Sequence, residues 1–194
     1  MSNQKVALVT GASSGIGAAT VKALVADGFS VIATARREDR LNELAKQDKK
    51  IETFVADLTS QSDVDALAQF CAGKNIGVLV NCAGGAFDAS SVLDGDPEVW
   101  KKTYDINVIA TLRVTQAITP LMIKNGQGHI VIISSTAGHR AYEMVAAMWQ
   151  RSLLKPQWLT HFASNSMGSQ YALQRLPLAW SRLMNLPLIV STAI

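Results

Sequence analysis

Glycine, serine and arginine are spaced in this chain in a way suited to holding a phosphorylated nucleotide. Thr10-Gly11-Ala12-Ser13-Ser14-Gly15-Ile16-Gly17 stands between an apolar run and a segment of helical periodicity. Glycines there let the backbone turn tightly and approach a pyrophosphate. The N-terminus of the helix that follows offers it free N–H groups and the positive end of a dipole. A glycine-rich loop can also be a plain turn, and its place between strand and helix favours the nucleotide reading. The next apolar run ends at Ala35 and is followed by Arg36 and Arg37. A carboxylate at this place would accept from a ribose 2′-hydroxyl and repel a 2′-phosphate, whereas guanidinium groups bind that phosphate bidentately. Two arginines at a strand end can be ordinary solvated charges, but with the acid missing they point to NADP(H).

These groups need elements to position them. Residues 5–9 form an apolar run, and 16–27 show helical spacing through Ile16, Ala19, Ala23 and Val25 before Gly28. The alternation then repeats, with strands over 30–35, 51–56, 76–81 and 129–134 and helices over 38–46, 62–71 and 97–124. Pro97 suits the first turn of the long helix and Gly126 its end. Continuous apolar strands separated by helices predict a parallel sheet covered on both faces, with right-handed crossovers. The expected fold is therefore doubly wound α/β of the Rossmann type.

Four further segments follow in order. Asp57-Leu58 comes after the third strand, where Asp also serves as a helix cap or turn residue. Asn81-Cys82-Ala83-Gly84 comes after the fourth, with Cys82 read as a small packed residue rather than a reactive thiol. Asn107 sits in mid-helix, where asparagine has a modest cost and a specific role is plausible. Ser135 lies in Ile133-Ser134-Ser135-Thr136-Ala137-Gly138. Together with the glycine-rich loop, these motifs span about 130 residues and resemble the short-chain dehydrogenase/reductase family in order and place. The resemblance implies hydride transfer, dependent on NADP(H), between a small-molecule alcohol and a carbonyl. It assigns cofactor contacts to Thr10, Gly11, Ser13, Ser14, Gly15, Ile16 and Gly17, to Arg36 and Arg37, and to Asp57 (on the adenine), Leu58, Asn81, Ala83 and Gly84. By the same resemblance Ser135 is the catalytic serine and Asn107 holds a relay water through its carbonyl. Family members pair through their long crossover helices, so a homo-oligomer is expected of the intact protein.

The family places Tyr-x-x-x-Lys about thirteen residues beyond the serine, the lysine lowering the tyrosine's pKa from about 10 so that it can exchange the hydroxyl proton. Those slots hold Met148 and Ser152, which cannot do that chemistry. Tyr142 is too close to Ser135 and Tyr171 too far. Composition changes at the same point. All 15 acidic residues lie at or before Glu143, a gap with a chance on the order of one in several hundred at ordinary usage. Joining each codon's third base to the first two of the next, from Met144 onward, forces Gly at Met144/Val145, Val at Met148/Trp149, Ala at Trp149/Gln150 and Gly at Met167/Gly168. Permitted choices elsewhere yield Gly-Gly-Gly-Tyr-Val-Ala-Ala-Lys and, later, Val-Arg-Val-Thr-Glu-Ile-Ala-Pro-Gly-Met-Val-Lys-Thr. Residues 1–143 are thus read as a Rossmann dinucleotide-binding region, truncated after about five strands. Residues 144–194 are read as an atypical, out-of-frame tail that is no separate domain; in one of the three readings left open, the tail cannot complete the sheet and leaves the fifth strand as an edge with only loose apolar cover.

Composition excludes other classes. The chain of 194 residues is long enough for one domain that buries roughly 70% of its unfolded surface. The net charge is only +3, and Lys and Arg form no stripe interleaved with aromatics, so nucleic acid is not an expected partner. Apolar stretches fall short of the ~20 residues of a membrane span, so no membrane role is expected. The 3 histidines lack metal-ligand spacing, and no metal is expected. With 2 cysteines and a first strand not preceded by a charged-then-apolar leader, a reduced, cytoplasmic setting is expected.

Overall fold

The computed structural model describes residues 6–87, 90–91, 93–126 and 128–134, together with the strand backbone at Ala172–Arg175 and Ile189–Ala193. In chain order the elements begin β1 (Val6–Thr10), α1 (Gly15–Ala26), β2 (Ser30–Ala35), α2 (Glu38–Ala45), β3 (Ile51–Val55), α3 (Gln61–Cys71) and β4 (Ile76–Asn81). There follow α4 (Pro97–Tyr104), a π-helical turn (Asp105–Ile109), α5 (Ala110–Lys124), β5 (His129–Ile133), β6 (Ala172–Arg175) and β7 (Ile189–Ala193). The sheet order is β3-β2-β1-β4-β5-β7-β6. The first five strands in that order are parallel, as their uninterrupted apolar character predicts.

Period-two alternation divides the strands between two cores. Leu8, Ile32, Leu79, Ile130 and Ile132 face the α3 and α5 side, with Val114, Ile118 and Met122. Ala7, Val9, Val31, Ala33, Val80 and Val131 face the α1 and α2 side, with Val21, Leu41 and Leu44. Burying one such large side chain stabilises the fold by about 1.5–3 kcal/mol, and both layers are needed to hold the strand ends in place.

Three features depart from the sequence reading. First, the edge of β5 is not left bare: β7 pairs with it antiparallel, Ile133 opposite Ile189 and His129 opposite Ala193, and β6 pairs antiparallel with β7. The edge N–H and C=O groups of β5 need partners, and the β-branched Ile189, Val190 and Thr192 suit a strand. The sheet thus continues past its five parallel strands.

Second, the long helix is not regular. Asp105–Ile109 widens into a π turn between α4 and α5. Third, the combined helix Pro97–Lys124 is 28 residues long and apolar enough, by length and composition, to cross a membrane. The sequence reading missed this because it sought unbroken apolar runs, and the helix carries scattered threonines. More than half of its most apolar window is buried inside the protein, which accounts for that composition. Its start and end follow local chemistry. Asp96 caps it by accepting from the Glu98 N–H at 2.9 Å, Pro97 occupies the first turn, and Gly126 adopts φ +73° beyond the end.

Candidate functional site

The strand order reverses between β1 and β4, and a crevice opens at that switch point beyond the carboxyl ends of the strands. It is a cleft of about 560 Å³. Gly11, Ser13, Ser14, Gly15, Ile16 and Gly17 from the first loop line it, with Arg36 and Arg37, Leu58, and Ala83 and Gly84. Eleven residues chosen from the sequence therefore meet in one cavity.

The loop requires its glycines. A Cβ on Gly17 would lie 2.3 Å from the Gly11 carbonyl oxygen, so helix and loop can pack this closely only without a side chain. Gly15 has φ +52° and open space where its Cβ would be. Ser14 caps α1 without a side-chain hydrogen bond to the helix, and the first turn contains no acid. Its N–H groups are thus presented without side-chain competition, which suits an anion.

Arg37 folds back from the end of β2 onto this loop. Its Nη2 donates to Ser13 Oγ at 2.8 Å and to Ser14 Oγ at 2.6 Å, and its Nε donates to Ser13 Oγ at 3.1 Å. One guanidinium and two hydroxyls are thereby gathered at the cleft wall beside Arg36. This donor set fits a phosphate ester, and none of the described residues that line the cleft is acidic.

Other predicted residues stand behind the lining. Thr10 is fully buried, and its Oγ1 accepts from the N–H groups of Cys82 and Ala83 at 3.1 and 3.0 Å, fastening the Asn81–Gly84 turn to β1. Asn81 is buried and donates through Nδ2 to Thr115 Oγ1 at 3.3 Å, so it anchors the turn to α5 and does not line the cleft. Asn107 braces the next residue of that turn: its Oδ1 accepts from the Gly85 N–H at 3.1 Å, and its Nδ2 donates to the carbonyls of Gly85 and Thr103 at 2.8 and 2.7 Å. The Asn107 carbonyl accepts from Thr111 Oγ1 at 2.8 Å.

Asp57 lies just outside the cleft, on a neighbouring cavity of about 280 Å³ that shares Arg36, Phe87 and Ile106 with it. The turn role allowed for it is present, since Oδ1 accepts from the N–H and Oγ1 of Thr59 at 3.0 and 2.8 Å; the cap of α3 is Ser60. Burial pushes the Asp57 carboxyl up, but the two Thr59 bonds and the Arg36 charge outweigh it and hold the group below its ordinary value. Ser135 and the slots of Met148 and Ser152 lie outside the described residues. Ser134 leaves the carboxyl end of β5, the end of the sheet on which the cleft opens.

Some lining residues were not singled out. Ala35, Ala56 and Gly85 adjoin predicted motifs and could have been included as small residues at strand ends. Phe87 and Ile106 had no local signal; Ile106 is one residue from Asn107, and Phe87 is brought in by the path of its loop, where Lys102 Nζ sits 4.9 Å from its ring centroid.

A family model for short chain dehydrogenases matches residues 5–147. An uncharacterized oxidoreductase of Staphylococcus saprophyticus is 41% identical over 141 residues, covering 69% of this chain and 60% of that protein. One of Mycobacterium tuberculosis is 41% identical over 186 residues, covering 89% and 73%. The chain thus spans about 60% of the length of its staphylococcal relatives. Among solved structures, the closed form of a serine dehydrogenase complexed with NADP+ superimposes with a TM-score of 0.80 at 28% identity, over 84% of this chain and 67% of that one.

Proposed function

Since the chain belongs to the short-chain dehydrogenase family, we propose that its cleft binds NADP(H), and that the intact protein interconverts a small-molecule alcohol and its carbonyl. The observation that carries the cofactor choice is the Arg37–Ser13–Ser14 cluster at the end of β2, where no carboxylate stands. In this reading the first turn of α1 faces the pyrophosphate, Arg36 and Arg37 hold the 2′-phosphate, and Asp57 accepts from the adenine amino group. When bound, the cofactor donates or accepts the hydride. Ser135 polarises the carbonyl, and Asn107 orders the proton relay from the helix behind the site. The long crossover helices pair copies of the intact protein.

Residues 144–194 are an out-of-frame reading of the family's active-site helix, sixth strand and cofactor loop. The abrupt loss of acidic residues after Glu143 supports this, as do the forced codon junctions. A second reading follows from Met148 and Ser152: the chain as written is a cofactor binder without turnover. Titration with NADPH and NADH by cofactor fluorescence, together with a carbonyl-substrate panel, separates the two. Binding of NADPH with no turnover supports the binder, turnover supports a competent enzyme, and equal affinity for the two cofactors defeats the 2′-phosphate assignment.

A further inference from the structure

The loop from Asp57 to Ser60 separates the cleft from the neighbouring cavity: Leu58 lines the first, Asp57 and Thr59 the second. Several of its bonds are local. The Asp57 N–H donates to Asp63 Oδ2 at 2.8 Å, Thr59 donates to Asp57 Oδ1 through both its N–H and Oγ1, and the Ser60 N–H donates to the Asp57 carbonyl at 2.9 Å. One bond comes from a distant element. Arg113, on α5, donates through Nη1 to the carbonyl oxygen of Thr59. Arg113 is half-buried and has no carboxylate within salt-bridge distance among the described residues. A half-buried guanidinium directed at a carbonyl forgoes the ion pair that usually offsets its desolvation, and it fixes that carbonyl in place.

We propose that Arg113 is a positioning residue for base recognition: through Thr59 it holds the Asp57 carboxylate at the edge of the cofactor cleft, and the preference for adenine over hypoxanthine in the cofactor depends on it. The inference rests on the reading above that Asp57 meets the adenine. The chemistry is directional. Thr59 occupies Oδ1 twice, which directs the recognition to Oδ2. Adenine presents an amino donor at position 6, whereas hypoxanthine presents a carbonyl acceptor, which repels a carboxylate. If the Thr59 carbonyl is released, the loop shifts, and the carboxylate loses its fixed distance from the base while the Arg37 cluster, on the opposite loop, is untouched.

The test is equilibrium titration of the full chain with NADPH, with the reduced hypoxanthine analogue of NADPH, and with NADH, comparing wild type with Arg113→Leu, Arg113→Met and Arg113→Lys. Circular dichroism and Tm report folding. Wild type is expected to prefer adenine by on the order of tenfold, as for one hydrogen bond to a charged acceptor. Arg113→Leu and Arg113→Met are expected to bring that preference within about twofold, and Arg113→Lys to restore part of it. The NADPH/NADH ratio stays unchanged throughout. A folded Leu or Met variant that keeps the wild-type adenine preference overturns the proposal and leaves the Asp57 reading standing; should the Leu variant not fold, the Met variant decides in the same way. A wild-type chain that prefers NADPH to NADH but does not distinguish the two bases overturns the Asp57 reading and the proposal with it.

Discussion

Arg37 and Ser13, twenty-four positions apart in sequence, are joined by two hydrogen bonds that close the end of β2 onto the glycine-rich loop. The contact gathers positive charge and hydroxyl donors at one place on the cleft wall. Arg37→Ala is therefore expected to raise the Kd for NADPH by about ten- to a hundredfold, the loss of charge-assisted phosphate contacts. The Kd for NADH should change by less than about threefold. Fluorescence titration of both cofactors checks this, and equal weakening of both would assign Arg37 to loop structure alone.

Gly17→Ala tests the loop packing. The added methyl carbon would meet backbone, the Gly11 carbonyl oxygen, at 2.3 Å, and backbone cannot rotate aside as a side chain can. Overpacking of this kind costs about 1–3 kcal/mol. A lower Tm with loss of NADPH binding is expected. Gly28→Ala provides the contrast: its Cβ would meet nothing within 4 Å, and φ +91° makes it strained but remote from the cleft, so it should lower Tm while sparing the Kd.

What could be read from sequence depended on whether the determinant was local. The bounds of β2 and β4 follow from their apolar runs and stand where the pattern places them, and α1 ends at Ala26, one residue before the expected Asp27, with Gly28 just beyond at positive φ. The lining residues of the glycine-rich loop and the arginine pair were legible because one turn and one strand end specify them. The contacts of the Asn107 amide with Gly85, twenty-two residues away, were not legible. The same holds for Phe87 in the cleft, for Arg113 against Thr59, and for β7 on the edge of β5. Each depends on tertiary proximity that no local spacing encodes.

Asn107 is structural before it is chemical. In a buried position its side chain bonds both the N–H and the carbonyl of Gly85 and the carbonyl of Thr103. Asn107→Ala is expected to destabilise the fold by about 1–3 kcal/mol in urea titration, because buried backbone groups lose their partner. An unchanged urea midpoint would show that the turn after Gly84 holds without it.

Acid stability should fall in two separate windows. Burial holds the His129 imidazole below its ordinary value of 6.5, so the folded state binds a proton less readily than the unfolded one. Above 6.5 both states are neutral and His129 has no effect on stability. As pH falls from 6.5 to the lower folded value, the unfolded state gains protons first and stability is lost. Asp57 acts further down: its folded value lies below 3.8, so its contribution is full above 3.8 and disappears as pH drops through the folded value. Urea midpoints from pH 8 to 5 should therefore decline below about 6.5 in wild type and remain flatter in His129→Phe. A variant with the wild-type slope would place the titration elsewhere.

Insertion of one base between the codons of Glu143 and Met144 is the most direct test of the tail. It moves every later codon into the alternative frame and leaves residues 1–143 as they are. The junction of Ala147 and Met148 then permits tyrosine in slot 148, and that of Arg151 and Ser152 permits lysine in slot 152, four positions on and thirteen and seventeen beyond Ser135. Tyrosine and lysine one helical turn apart lie on the same face, which the proton transfer requires. The repaired gene is expected to read through without early stops and to give a protein that reduces carbonyl substrates with NADPH. Met148→Tyr combined with Ser152→Lys in the chain as written should not do so, because residues 144–194 contain no Pro-Gly of the kind that opens the family's cofactor loop. Stop codons in the shifted frame would end the frameshift account, and turnover by the double variant alone would show that the tail already provides the rest of the site.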